Sequence, residues 1–275
     1  MVALDITTRY KLALEVAQEV GDLIVEKQES GAVDVMFKKD NSPVTNVDKE
    51  AETIVRNRLL SKYPDDGFIG EELKTIEGTS DYYWSCDPID GTWSYLNHEI
   101  TCSICLNLHH REAILVAIIY NPFTNQLYTG KEGTTSTLNG RTLPSINKTM
   151  LQFAVVNFQI SGWFEEDIQR LFELRSNNSV SKLVRMGGSI AYSLVQVASG
   201  THSAFIRRTG NSSNVWDVAG GLFIIRQAGG LVTDLDGNDL FEVAAGQIMV
   251  ASVNPEIHEQ ILTKLNEANF GKENQ

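Results

Sequence analysis

Two aspartates lie three residues apart in the run Asp87-Pro88-Ile89-Asp90-Gly91-Thr92, directly after the apolar residues 82–86. Proline fixes the backbone between the acids, and glycine allows the backbone to approach a ligand closely. Two carboxylates held close together repel each other unless a proton or a cation lies between them. Mg²⁺ prefers such oxygen ligands and often binds a substrate phosphate as well. The run therefore predicts a divalent-cation site on a tight turn after a strand, although Asp, Pro and Gly are also ordinary turn residues.

Three further polar motifs accompany this run. They are Lys38-x-Asp40-x-Ser42-Pro43-Val44-Thr45-x-x-Asp48, Gly70-Glu71-Glu72 and Trp216-Asp217-Val218-Ala219-Gly220-Gly221. Each alone is weak evidence, because Gly-Glu-Glu is compatible with an exposed loop and an aspartate at a helix N-terminus is favoured by the helix dipole alone. In this order and spacing, the four motifs resemble the inositol monophosphatase family, whose members are Mg²⁺-dependent and typically lithium-sensitive phosphomonoesterases. The resemblance covers about residues 38–230.

The resemblance implies a metal-binding role for each residue that matches a family ligand. Two or three Mg²⁺ ions would be bound by the side chains of Glu71, Asp87, Asp90 and Asp217 and by the backbone carbonyl of Ile89. All four carboxylates of the family pattern are present in this chain. We therefore expect a metal-dependent phosphoric monoester hydrolase.

The resemblance also implies how the substrate would be attacked. Thr92, hydrogen-bonded to Asp48, would help to position and deprotonate the attacking water, and Glu71 would orient it. The amides of Gly91 and Thr92 would bind phosphate oxygens. Lys38 would steer the anionic substrate, although a solvated lysine at a strand end is an equally good interpretation. Because phosphoryl transfer mainly requires positioning and charge stabilisation, we expect in-line attack by metal-activated water without a phosphoenzyme.

The substrate is less well defined by the motifs than the reaction. Inositol 1-phosphate is the first candidate from the resemblance, but residues 205–214 contain Arg207 and Arg208 where inositol monophosphatases tend to have an acid. Arginines suit a second phosphate, which favours a 3'(2'),5'-bisphosphate nucleotidase as an alternative. An exposed strand end explains the arginines equally well.

Two more phosphate esters are compatible with the motifs, and so is a role without catalysis. Trp93-Ser94-Tyr95 departs from the usual family sequence after the acidic run, and Ser161-Gly162-Trp163 resembles some histidinol-phosphate phosphatases. Fructose 1,6-bisphosphate is a further family substrate that no residue excludes. Because some bacterial relatives associate with the transcription machinery, a regulatory scaffold that retains the fold is the alternative outside the enzymes.

Composition limits the partners of the 275-residue chain. Its net charge of −12, with no basic block, argues against nucleic acid as a main partner. No apolar run has the length of a membrane span, and no signal peptide is visible. Three cysteines cannot all pair, which indicates a reducing compartment. We therefore expect a cytoplasmic protein that acts on a small phosphorylated metabolite, and the resemblance implies a homodimer.

Periodicity predicts the elements that must position these residues. An amphipathic helix is predicted over about residues 6–29, and Thr45 is predicted to cap a second helix. His109 and His110 are predicted to form a solvated turn, and Asn139-Gly140 to close a hairpin. A boundary near residue 143 predicts lobes of residues 1–143, with most metal ligands, and 144–275, with Asp217. The resemblance implies a layered α/β (α+β) sandwich like fructose-1,6-bisphosphatase, with an antiparallel-sheet lobe followed by a mixed-sheet lobe.

Overall fold

The computed structural model describes residues 2–161, 164–210 and 213–272, and packing divides the chain into two compact units. The first unit comprises Met1–Thr142, Gly188–Tyr192 and Val215–Phe223. The second comprises Leu143–Gly187, Ser193–Asn214 and Ile224–Gln275. The units therefore differ from two consecutive lobes, because the segment that carries Asp217 packs with the first unit.

Two long helices and a short one belong to the first unit: α1 (Val2–Ser30), α2 (Asn46–Lys62) and α3 (Thr92–Leu96). The helix predicted over residues 6–29 is confirmed, and its apolar stripe of Ala13, Ala17, Val20 and Ile24 is buried. The predicted cap of α2 is also confirmed. Thr45 and Asp48 form a capping box, in which each side chain accepts a backbone N–H of the other residue.

The strands of the first unit form a hairpin and a seven-stranded sheet. The hairpin pairs β1 (Val35–Phe37) with β2 (Pro43–Thr45). The sheet contains β3 (Gly67–Gly70), β4 (Tyr82–Asp90), β5 (Ser103–His110), β6 (Ala113–Asn121), β7 (Gln126–Lys131), β8 (Thr137–Leu138) and β9 (Arg141–Thr142), in that order. β3 and β4 are parallel, and all other neighbours are antiparallel. The two-residue hairpin turn at Asn139-Gly140 is confirmed between β8 and β9.

The prediction of a solvated turn at the histidine pair is wrong. His109 and His110 are the last residues of β5, and His109 is buried. The His109 ring stacks on Tyr83, and its Nε2 lies 2.9 Å from Ser85 Oγ. These partners come from β4, so the residues next to the histidines in the chain carry no sign of them.

A buried ion pair fixes the start of α1. Arg9 pairs with Asp66, and its guanidinium lies over the rings of Tyr63 and Tyr82 at 3.8 and 4.4 Å from their centroids. Trp84 donates its indole N–H to the same carboxylate at 2.9 Å. The aspartate is therefore bound by both a cation and a neutral donor, which a buried charge requires.

The second unit contains a five-stranded mixed sheet. Its strands are β10 (Val155–Ile160), β11 (Lys182–Val184), β12 (Ala204–Arg208), β13 (Leu231–Thr233) and β14 (Ile248–Ser252), in the order β11-β10-β12-β14-β13. β10 is parallel to β11 and β12, whereas β14 is antiparallel to β12 and β13. The predicted layered α+β fold, with a mainly antiparallel sheet followed by a mixed sheet, is thus confirmed.

In the part of the chain that the structure describes, four α-helices follow the first unit's sheet: α4 (Glu165–Ser176), α5 (Ile190–Ala198), α6 (Val215–Gln227) and α7 (Pro255–Glu267). The first residues of α5 and α6 belong to the first unit and their later residues to the second. Gly162 and Trp163, which suggested a histidinol-phosphate phosphatase, lie outside the described residues. Within the described ranges, no helix combines the length and the apolar character that crossing a bilayer requires.

Candidate metal centre

The acidic run is the end of a strand rather than a turn that follows one. β4 continues through both Asp87 and Asp90, and its pairing with β5 shifts register between them. Such a bulge re-aims side chains at the end of a strand. Asp87 Oδ1 accepts the backbone N–H of Ile89 at 2.9 Å, which stabilises the bulge. The prediction that the strand ends at residue 86 is therefore wrong, because a bulge accommodates the proline that would otherwise end the strand.

Strand pairing and helix packing bring two more acids to this bulge. Glu71 follows β3, whose last residue is paired in parallel register with Cys86, and the Glu71 N–H donates to the Cys86 carbonyl at 3.3 Å. Asp217 lies in the first turn of α6. That helix approaches the sheet closely, since a Cβ atom at Gly220 would lie 2.3 Å from Asn107 Oδ1 on β5.

Three carboxylates converge as a result. Each of Glu71, Asp87 and Asp217 offers a carboxylate oxygen, and these oxygens all lie within 4.8 Å of one another. Asp87 is only 2% exposed, and its pKa is raised well above the ordinary value by burial and then by the charges of Glu71, Asp90 and Asp217. A set of hard oxygen donors that repel one another, with Asp87 buried and the other two half-buried, fits a divalent cation such as Mg²⁺.

Asp90 lies near this group, but one of its oxygens is bound elsewhere. Asp90 Oδ2 accepts the Ser189 hydroxyl at 2.5 Å and the Ala191 N–H at 2.9 Å. Burial raises the Asp90 pKa to about 6, and these hydrogen bonds oppose the increase. Ser189 was not among the predicted site residues. In the sequence, only the glycine pair that precedes Ser189 distinguishes it, and its partner Asp90 lies 99 residues away.

Two glycines let the acidic run and the 188–191 segment interlock. Gly91 has φ +93°, and a Cβ atom there would lie 2.7 Å from the Ser189 backbone nitrogen. Gly188 has φ +84°, and its Cβ would lie 2.1 Å from the Thr101 carbonyl oxygen. Both positions thus require glycine for conformation and for space. Gly91 is also the N-cap of α3 and has no side-chain cap bond.

The predicted pair of Thr92 and Asp48 is brought together. The Thr92 hydroxyl lies 3.5 Å from Asp48 Oδ1 and 3.3 Å from the Ile89 carbonyl oxygen, and it can donate its one proton to either acceptor. The other Asp48 oxygen, Oδ2, accepts the N–H and the hydroxyl of Thr45 at 2.8 and 2.5 Å. Burial raises the Asp48 pKa, while the Thr45 bonds lower it. One Asp48 oxygen is therefore fixed by the helix cap and the other faces Thr92.

Lys38 contacts the Gly-Glu-Glu motif directly. Its Nζ lies 2.7 Å from Glu71 Oε1 and 2.6 Å from Glu72 Oε1. Burial raises the Glu72 pKa to about 7, and the bond to Lys38 opposes the increase. Burial alone would lower the Lys38 pKa, but the two carboxylates together outweigh it and raise that pKa. Lys38 thus neutralises part of the acidic cluster, and its role in steering a substrate stays a prediction.

The two arginines lie on β12 of the second unit. Arg208 pairs with Asp167 at 2.5 Å, donates to the Gly246 carbonyl at 3.2 Å and lies over the Phe164 ring. Arg207, its neighbour on the strand, is 6% exposed. Because Arg208 is already held by an acid, a carbonyl and a ring, its contacts are those of a structural residue. Substrate binding by either arginine stays a prediction.

Comparisons of the sequence with known proteins show which family the chain is similar to. A sequence profile described as "Inositol monophosphatase family" matches residues 5–269. An "Inositol-1-monophosphatase" of Rhizobium meliloti is 34% identical over 205 residues, which is 74% of this chain and 76% of that protein. A "Nus factor SuhB" of Escherichia coli K12 is 29% identical over 263 residues, 92% of this chain and 94% of that protein.

Solved structures give the same result at the level of the fold. An IMPase of Thermotoga maritima superposes with a TM-score of 0.80 at 26% identity, covering 98% of each chain. An extragenic suppressor protein suhB of Bartonella henselae superposes with a TM-score of 0.82 at 25% identity, covering 97% of this chain and 99% of the other.

Proposed function

The chain belongs to the inositol monophosphatase family, and we propose that it hydrolyses a small phosphate monoester with Mg²⁺ as cofactor. The observation that carries this proposal is the convergence of Glu71, Asp87 and Asp217 within 4.8 Å. Inositol 1-phosphate is the first candidate substrate, since the relative from Rhizobium meliloti is named for that activity.

The metal would be held by acids from three elements of the first unit. Glu71 follows β3, Asp87 and Asp90 lie on β4, and Asp217 lies in the first turn of α6. The Ile89 carbonyl is the proposed backbone ligand. When bound, Mg²⁺ would neutralise the negative charge that develops on the phosphate and favour deprotonation of the attacking water. The chain needs no serine or cysteine nucleophile for this reaction.

The remaining chemistry falls to Thr92 and Asp48. Because Asp48 Oδ1 faces the Thr92 hydroxyl, a proton can pass from the attacking water to Thr92 while Thr92 releases its own to Asp48. As the water oxygen bonds to phosphorus, the bond from phosphorus to the leaving oxygen breaks. That oxygen takes a proton from solvent and departs as the alcohol. The Gly91 and Thr92 amides are the proposed donors to the phosphate oxygens.

The test is phosphate release, with and without Mg²⁺, from four compounds. These are inositol 1-phosphate, 3'-phosphoadenosine 5'-phosphate, fructose 1,6-bisphosphate and histidinol phosphate. We expect release to require Mg²⁺ and to be lost in Asp217→Asn, while the exposed Asp236→Asn, with the same change of charge, retains it. Turnover that persists in EDTA or in Asp217→Asn would refute the proposal. If the nucleotide is preferred and Arg207→Ala abolishes the preference, the bisphosphate alternative replaces inositol 1-phosphate.

A second candidate function is favoured by the relative named Nus factor SuhB, which matches 263 residues. In that case the chain would bind a protein partner and retain the fold as a scaffold. A partner that co-purifies equally with the wild type and with Asp217→Asn would support this role. A partner lost together with the metal would count against a role independent of catalysis.

Three finer properties belong to the same proposal. We expect millimolar Li⁺ to inhibit the enzyme, because the family's carboxylate set is intact. We also propose a homodimer in a cytoplasmic location. Light scattering of the purified protein would test the dimer, and an unchanged rate in Li⁺ would count against lithium sensitivity.

A further inference from the structure

A fully buried glutamate stands behind the Gly-Glu-Glu motif. Glu52 lies on α2, one helical turn after Asp48, and is 0% exposed. Its Oε2 accepts the backbone N–H of Glu72 at 2.8 Å, and its Oε1 accepts that of Leu73 at 3.0 Å. Within the described residues, no ion pair within 4.0 Å includes Glu52, so backbone amides provide its nearest compensation.

The contact extends to the residue on the other side of Glu71. A Cβ atom at Gly70 would lie 2.1 Å from Glu52 Oε1, so the carboxylate reaches its place only because residue 70 is glycine. Glu52 therefore touches the backbone both before and after Glu71. A side chain that holds both flanks of a residue fixes the direction in which that residue points.

We infer that Glu52 is a positioning residue that holds the 70–73 segment so that the Glu71 carboxylate faces Asp87 and Asp217. This inference rests on the proposed metal site. Keeping a charge buried close to other acids is costly, and a merely structural contact would not require one. A carboxylate is the one side chain here that accepts from two successive amides and donates to neither.

The variant Glu52→Gln tests this role with little change in volume. One oxygen of glutamine still accepts an N–H, but its NH₂ group meets the other N–H, so one amide loses its acceptor. Loss of one charge-assisted bond leads us to expect Mg²⁺ binding about tenfold weaker. Gly70→Ala displaces the same carboxylate from the opposite side and should give the same loss. Glu50→Gln, an exposed glutamate on the same helix, is the matched control and should leave Mg²⁺ affinity unchanged.

A double-mutant cycle separates positioning from general support of the fold. Mg²⁺ affinity is measured by calorimetry for Glu52→Gln, Glu71→Gln and the double variant, and unfolding in EDTA verifies that each is folded. If Glu52 acts through Glu71, adding Glu52→Gln to Glu71→Gln changes affinity less than about twofold. A further tenfold loss in that background, or no loss in Glu52→Gln alone, overturns the inference. Unchanged affinity in Glu71→Gln refutes instead the metal role of Glu71 on which the proposal rests.

Discussion

Neutralising Asp87 should stabilise the metal-free protein, although it removes a proposed metal ligand. Asp87 is buried, and its charge lies within 4.8 Å of carboxylate oxygens of Glu71 and Asp217. At an effective dielectric constant of about 20, each such pair of full charges repels by about 3.5 kcal/mol. Asparagine removes the charge and can still accept the Ile89 N–H that Asp87 Oδ1 accepts.

Burial and the neighbouring charges raise the pKa of Asp87, which favours proton uptake, and proton uptake would relieve part of this repulsion and limit the gain. We therefore expect Asp87→Asn to raise the free energy of unfolding in EDTA at pH 8 by about 3 kcal/mol. That gain corresponds to about 5–10 °C in Tm for a domain of this size. In saturating Mg²⁺ the order should reverse, since only the wild type gains the full free energy of binding.

The assay is thermal unfolding in EDTA and in Mg²⁺ for the wild type, Asp87→Asn and the surface control Asp236→Asn. The control separates the loss of local repulsion from the change in net charge. A lower Tm of Asp87→Asn in EDTA would refute the argument, as would an equal rise of both proteins in Mg²⁺. The first result would mean that the three acids are not an electrostatically strained set, and the second that Asp87 is not a metal ligand.

The same geometry fixes the sign of the pH dependence that two acids of this region contribute. Burial raises the pKa of Asp90 to about 6 and that of Glu72 to about 7, above their ordinary values. Asp90 and Glu72 then bind more protons in the folded protein than in the unfolded chain between about pH 4 and pH 7, so the contribution of these two acids to stability in EDTA falls as pH rises through this window. We expect the stabilisation by Mg²⁺ to grow over the same window. A stabilisation by Mg²⁺ that does not grow from about pH 5 to pH 7 would contradict this expectation.

Three further predictions concern single contacts. Gly188→Ala should lower the free energy of unfolding, measured by chemical denaturation, by about 3 kcal/mol or more. Gly133→Ala, also at positive φ but in open space, should lower it by about 1 kcal/mol. Equal losses would refute the close approach of Gly188 to Thr101. Arg9→Leu leaves a buried carboxylate unpaired and should cost about 3–5 kcal/mol, which the same unfolding curves would measure. Ser189→Ala removes a donor to Asp90, so Mg²⁺ affinity by calorimetry should fall about tenfold; unchanged affinity would exclude this support.

The parts of the fold that could be predicted are those determined by residues close together in the sequence. The stripe of α1 repeats at helical spacing, and the box of Thr45 and Asp48 lies within four residues. The burial of His109 could not be predicted, because its partners Tyr83 and Ser85 lie on another strand. A histidine pair between two apolar runs is also a common turn composition.

The candidate site shows the same division. The motifs indicated Glu71, Asp87 and Asp217, which the structure brings together, but the supporting residues carry no motif. Ser189 donates to Asp90, which lies 99 residues away in the sequence. In the sequence, Glu52 is one of several charged residues on an amphipathic helix, and nothing distinguishes it. Its role could not be predicted, because it depends on the Glu72 and Leu73 amides, which only the fold places beside it.

The first unit is built from three separate segments of the chain, which has a consequence for its folding during synthesis on the ribosome. Gly188–Tyr192 and Val215–Phe223 are required to complete this unit, yet they emerge after most of the chain. Until residue 223 is outside the exit tunnel, the nascent sheet lacks the helix that covers Asn107 and the third acid of the centre. Domains that are consecutive in sequence usually fold in order, with the N-terminal domain first. Here the N-terminal residues cannot finish folding before residue 223 has been synthesised. A fragment that ends at residue 142 would remain an incomplete unit, with its acidic strand end uncovered.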